Sequence, residues 1–147
     1  MKKLVILSMF VFYTVISNSN TDSYALTIKT EDLKNSEGTM VFALYNKDGS
    51  IPDQKFKKYF RKKHTTIVHK KAEITFHNLP KGIYAVTILH DENNNGKIDT
   101  KFMLPLPDEG IGFSNYYDFG LSNRPNFKNA NFNLDKDTII EVKVIYK

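Results

Sequence analysis

Pro80-Lys81-Gly82-Ile83-Tyr84-Ala85-Val86-Thr87-Ile88-Leu89-His90-Asp91 decides the fold. The proline and glycine at its start suit a tight turn, and the unbroken apolar and β-branched run that follows reads as the strongest strand of the chain. Other short segments of the same kind surround it. Leu26 and Ile28 alternate with polar neighbours, and Met40–Tyr45 is a nearly continuous apolar run behind Gly38. Thr65–Val68 and Ala72–Phe76 flank Lys70-Lys71 as a prospective hairpin; Phe132 and Leu134 alternate briefly. Ile139–Tyr146 alternates to the end and is expected to lie inside the sheet. Strands at this spacing, without intervening long helices, predict an all-β fold: an antiparallel β-sandwich of about seven strands.

The only helical candidate is Pro52–Lys63, where Phe56, Tyr59, Phe60 and Lys63 share one face at i, i+3, i+4 and i+7. At most one short helix is expected. Between Thr100 and Asn131 the periodicity disappears, yet Phe102, Phe113, Tyr116, Tyr117, Phe119 and Phe127 keep the stretch strongly aromatic. A connection longer than about 15 residues is usually functional or disordered, and this one is too apolar for a solvated linker. It is expected to be an ordered loop laid over the sandwich.

The chain has 147 residues with a formal charge of +5 and no cysteine. That absence removes disulfides, thiolate catalysis, zinc–thiolate sites and iron–sulfur clusters. Met1-Lys2-Lys3 places two cations before the apolar run Leu4–Ile16, and a polar stretch then reaches Ser23-Tyr24-Ala25. This is the layout of a signal peptide, too short for a span needing about 20 apolar residues. The expected division is residues 1–25 as export signal and 26–147 as one sandwich domain; a cut near Ser17–Ser19 is the alternative. The expected place is therefore the periplasm or the medium, and nucleic acid is not an expected partner. An exported domain without disulfides can gain stability from a bound metal.

The segment directly after the main strand offers such a site. Asp91, Asn93, Asn95 and Asp99 occupy relative positions 1, 3, 5 and 9, with Gly96 at position 6 and the Lys97 carbonyl at position 7. Calcium takes six to eight oxygens at about 2.3–2.6 Å, and alternate side chains of a tightly curved segment converge on one point when glycine permits the bend. Phe102 stands at position 12 in place of the glutamate that completes an EF-hand, and no flanking helices are expected. The missing oxygens must come from elsewhere, with Glu109 the leading candidate beside Asp108 and Asp118. With so few formal charges, the expected affinity for Ca²⁺ is in the weak extracellular range of about 10⁻⁴–10⁻³ M. The competing reading of the same letters is an Asn-Gly turn whose side chains satisfy their own backbone.

Two further classes of function are compatible with these residues. His90, Asp91 and Glu109 near the aromatic loop could serve a hydrolase acting on glycans through paired carboxyls. Lys55–His64 with Lys70 and Lys71 could contact an anionic surface, but a packed aromatic face with a solvated basic face explains the same composition and is the preferred reading. His64, His69 and His77 lack the i, i+4 spacing of helical metal ligands, and Ser114 lacks the second glycine of a nucleophile elbow. The expected role is thus a binding or structural module for a surface, glycan or protein ligand, with no catalytic residue assigned.

Four ordered motifs carry a resemblance. Leu79–Val86, His90–Thr100, Pro107–Asn115 and Arg124–Ala130 together resemble the bacterial exported family known as domain of unknown function 2141, over roughly Leu26 to Tyr146. The glycine-turn-strand portion is shared more loosely with prealbumin-like sandwiches of the carboxypeptidase-regulatory kind. The resemblance implies export and a sandwich, and it supplies no substrate. Asn94 stands where that family usually has glycine, and Met103–Pro107 replaces a more glycine-containing run.

Overall fold

A computed structural model describes residues 22–101 and 106–147. The expected export signal lies outside the described residues except for its last few. Among the described residues, eight strands and one short helix form two facing sheets, a β-sandwich. The strands are β1 (Ser23–Thr30), β2 (Thr39–Tyr45), β3 (Arg61–Thr66), β4 (Ala72–Pro80), β5 (Gly82–Asp91), β6 (Gly110–Phe113), β7 (Phe132–Leu134) and β8 (Thr138–Glu141); helix α1 is Phe127–Ala130. One sheet has the order β4-β1-β8, and the other β3-β2-β5-β6, with β7 beside the start of β5.

The continuous apolar runs in β2 and β5 follow from burial on both faces. Successive side chains on a strand point to opposite sides. Phe42, Leu44, Tyr84, Val86 and Ile88 therefore meet Leu26, Ile28, Phe76 and Leu134 between the sheets. Val41, Ala43, Tyr45, Ala85 and Leu89 face the other way, against Phe113, Tyr116, Phe119 and Phe127. The aromatic stretch is thus a third layer over the outer face of the larger sheet, as its composition predicts. Ser114 fastens it there: its Oγ accepts the Val86 N–H at 2.9 Å and donates to the Ala130 carbonyl at 2.6 Å.

Three expectations need correction. Pro52–Lys63 is not a helix. Asp53 captures the Lys57 and Lys58 N–H groups at 3.0 and 2.7 Å, and Phe56 takes a φ of +46°, which breaks helical propagation. Phe60 N–H then bonds the Leu44 carbonyl at 2.7 Å, and the chain leaves as β3 along β2. The 65–76 hairpin has the expected tight turn, with His69 and Lys70 both at positive φ, but its arms part into different sheets. Finally, Ile139–Tyr146 does not lie inside a sheet. Its first half, β8, is an edge strand parallel to β1, and its second half crosses to β6, where Ile111 and Ile145 exchange N–H···O bonds of 3.0 and 2.8 Å. Gly112 permits that approach, because a Cβ there would overlap the Lys143 carbonyl oxygen.

β1 begins at Ser23, with Ser23 and Tyr24 opposite Pro80 and Leu79. A cut after Ala25 removes those pairs and leaves the buried part from Leu26 onward; a cut near Ser17–Ser19 leaves the whole strand.

Gly38 seats the entry to β2 against the end of β5. Its φ is +69°, and a Cβ would overlap the Asp91 carbonyl oxygen, whereas Gly49, at φ +72°, has open space around it. Gly49→Ala is therefore expected to cost about 1–2 kcal/mol, the scale of left-handed strain. Gly38→Ala adds a clash with strand backbone and is expected to cost about 3 kcal/mol or more. Urea denaturation of both variants separates the effects, and equal losses would contradict the close packing at Gly38.

Candidate functional site

Antiparallel pairing builds the site. His90 lies opposite Gly110 in the β5–β6 register, so the next position along each strand brings Glu109 beside Asp91. The described residues on the way there pair with one another: Thr100 bridges Pro107, Lys101 N–H bonds the Leu106 carbonyl at 2.9 Å, and Asp108 N–H bonds the Asp99 carbonyl at 2.9 Å. Glu109, sixteenth in sequence after Asn93, is thereby returned to the 91–99 loop.

The loop winds about its own side chains. Asp91 is 2% exposed; Oδ1 accepts the Asn95 N–H at 3.0 Å and Oδ2 the Gly96 N–H at 2.8 Å. Asn94 and Gly96 take positive φ values of 58° and 74°, which supply the curvature. Asn93 Oδ1 accepts the Asn95 N–H, and Asn95 Oδ1 accepts the Lys97 N–H, both at 3.0 Å. The amide nitrogens of Asn93 and Asn95 both donate to Asp99 Oδ2. The Lys97 ammonium lies 3.6 Å from Asp99 Oδ1. These donors, the Asn93 amide foremost, hold the Asp99 carboxyl below the usual carboxylate range.

Glu109 has the opposite environment. It is 6% exposed; Oε1 accepts the Glu92 N–H at 3.1 Å, while Oε2 is buried without a hydrogen-bond partner. Burial pushes its carboxyl up, the neighbouring Asp91 and Asp99 charges add to this, and the backbone N–H groups of Asp99 and Glu92 oppose it. The spacing motif and the later glutamate therefore share one corner of the sheet. Among the described residues, however, no three His, Asp or Glu side chains are arranged as metal ligands. Asp99 sits at the focus of two amide N–H groups, which is the geometry of a carboxylate solvated by its own loop.

The remaining candidates fall elsewhere. Asp108 is exposed, and Asp118 pairs with Lys147. His90 is fully buried, with Nδ1 2.7 Å from the Tyr146 hydroxyl and Nε2 2.8 Å from the Glu37 carbonyl. Since Tyr146 also accepts the Lys34 N–H, at 3.1 Å, its own proton is free for His90 Nδ1, leaving Nε2–H for Glu37. That network ties β5 to the residues before β2 and to the last residues of the chain. In the basic segment, Arg61 donates to the His77 and Asn78 carbonyls at 2.6 and 3.1 Å, and Lys63 to the Thr75 carbonyl at 2.7 Å. These cations close the gap between β3 and β4, an edge-protecting role.

Asp53 was not legible as a special residue. It is 8% exposed and also lies 3.3 Å from the Tyr45 hydroxyl, whose proton is held more tightly because of burial and then of Asp53's charge. The signal was an aspartate just after proline with free N–H groups four and five residues on, which the aromatic periodicity of 52–63 masked.

Fold and site together define a two-sheet β-sandwich with an aromatic outer layer and an Asp/Asn loop at the end of its central strand. The model of the family described as uncharacterized protein conserved in bacteria (DUF2141) matches residues 28–141, and the chain belongs to that family. No curated protein matches the chain. No solved structure matches it either, so the sandwich is described by its own topology and not by a likeness to prealbumin-like domains.

Glu109 provides a pH test. Its carboxyl has a raised value in the folded chain against about 4.5 ordinarily. The folded state therefore binds more protons than the unfolded state above that ordinary value, and in chelator the Glu109 contribution falls as pH rises through the raised value. Glu109→Gln is expected to flatten this loss and to raise the melting temperature at pH 7 without added cation. A variant less stable than wild type at pH 7, with the same pH slope, would contradict the repulsion.

Proposed function

We propose that this chain is an exported β-sandwich binding module whose 91–99 loop takes up Ca²⁺ together with Glu109. The observation that carries this reading is the buried, unpartnered Glu109 Oε2 beside the Asp91 and Asp99 carboxylates. An orphaned buried acceptor is costly, and three neighbouring carboxylates repel one another until a cation is shared between them. A carboxylate has about four lone-pair sites; the two N–H bonds to Asp91 leave capacity for an ion, and Asn93 and Asn95 each carry an amide oxygen. Binding requires those amides to turn from donating to Asp99 toward presenting oxygen, so some of the binding free energy is spent on rearrangement. This accords with weak, extracellular-range affinity.

Export rests on Lys2-Lys3, the apolar run Leu4–Ile16 and the small-residue stretch up to Ala25. The hydrolase and anionic-surface readings have no comparable observation behind them: His90 is buried in a hydrogen-bonded network, and Arg61 and Lys63 are engaged with β4 carbonyls.

At 10 mM Ca²⁺ and a dissociation constant near 0.1 mM, the linkage relation for a hundredfold excess gives about 2.7 kcal/mol of added stability. Thermal melts in calcium and in chelator are expected to differ accordingly, and Asp91→Ala with Asp99→Ala is expected to abolish the difference. Superimposable wild-type melts would overturn the calcium reading and leave the loop as a self-satisfied turn.

A further inference from the structure

A concavity lies on the aromatic face, lined on one side by Thr100, Leu106 and Pro107. It has a volume of about 160 Å³. That is close to the roughly 150 Å³ of a dry engineered cavity that admits benzene. Phe113 and Phe119 lie edge to face at 5.3 Å between centroids, and Ile98 and Ile111 line the cleft with them. Leu121, 58% exposed, stands at the mouth.

The polar groups at the rim are asymmetric. Arg124 lines the opening with its backbone fixed, since its carbonyl accepts from the Tyr116 hydroxyl and the Asn126 amide. Its guanidinium has no carboxylate partner among the described residues. Asp53, the acidic residue of the lining, is already committed to Lys57, Lys58 and Tyr45. Gln54 uses its backbone carbonyl to hold Ile98 N–H at 3.1 Å, which fixes two residues of the lining to each other.

An apolar slot of one-ring size with an unpaired guanidinium at its edge has the chemistry of a site for an amphipathic anion. We propose that this cleft binds a small aromatic monocarboxylate, its ring between Phe119 and Ile98 and its carboxylate on Arg124. Two aromatic side chains in the lining favour a planar ring that can meet them edge to face, and the guanidinium fork matches a carboxylate bidentately. The cleft shares Ile98 with the 91–99 loop but uses none of that loop's carboxylate or amide groups, and so needs no cation there.

Phenylacetate and the neutral phenylacetamide, titrated into the ¹⁵N-labelled protein, test this. Phenylacetate is expected to shift the amides of Phe113, Phe119 and Leu121 saturably, and to bind roughly tenfold or more tightly than phenylacetamide, the scale of a charge-assisted hydrogen bond. Arg124 is exposed and unpaired, so Arg124→Gln leaves the fold intact; it is expected to reduce phenylacetate to the affinity of the amide while leaving the amide unchanged. Arg124→Lys is expected to retain part of the preference. Absence of saturable shifts, equal affinity for the two compounds, an undiminished preference in Arg124→Gln, or shifts confined to the basic strand β3 would each overturn the proposal. So would sedimentation showing that a second copy of the chain covers Leu121 at the concentrations used.

Discussion

Burial of β5 on both faces is the constraint on which the rest of this structure depends. Tyr84, Val86 and Ile88 complete the core between the sheets, while Ala85 and Leu89 carry the aromatic outer layer. A strand committed on two sides cannot slip by one residue, because a slip exchanges its faces. Its register against β2 and β6 is thus fixed, and so is the point at which it ends. Asp91 is the last residue of β5, opposite Thr39 on one side and next to Glu109 on the other. The acidic corner is a by-product of strand register more than of any local loop preference.

The fold was readable where the chemistry was periodic. The run Ile83–Leu89 announces a doubly buried strand, and the aromatic content of 100–131 announces a packed layer in place of a linker. What misled was a periodicity with two explanations. Phe56, Tyr59 and Phe60 satisfy helical spacing, but only Phe56 is buried; Tyr59 and Phe60 are 40% and 38% exposed. The Asp53 carboxylate decides between the alternatives by taking the N–H groups a helix would have used. Likewise, no local pattern in Ile139–Tyr146 could reveal that the stretch serves two sheets, since that depends on distant Gly112.

For the candidate site, the spacing of Asp91, Asn93, Asn95 and Asp99 marks the loop, and Glu109 is an acid the sequence offers to complete it. Sequence could not say which atoms of the asparagines face Asp99. That depends on amide rotation, which costs little on its own and is set by the balance of N–H donors in the finished loop. Nor could it separate the aromatic cleft from the carboxylate corner. Both lie after the same strand in the chain, yet Thr100, Leu106 and Pro107 line the cleft while Asp91, Asp99 and Glu109 form the corner.

The parallel pairing of β1 with β8 joins strands more than a hundred positions apart, with Val142 N–H on the Lys29 carbonyl at 2.9 Å. Contacts of such long separation close late, after much loop entropy has been lost. During synthesis, β1 has only β4 for company until the ribosome has delivered almost everything described. The smaller sheet therefore stays one strand short through most of elongation and is completed when the final segment arrives.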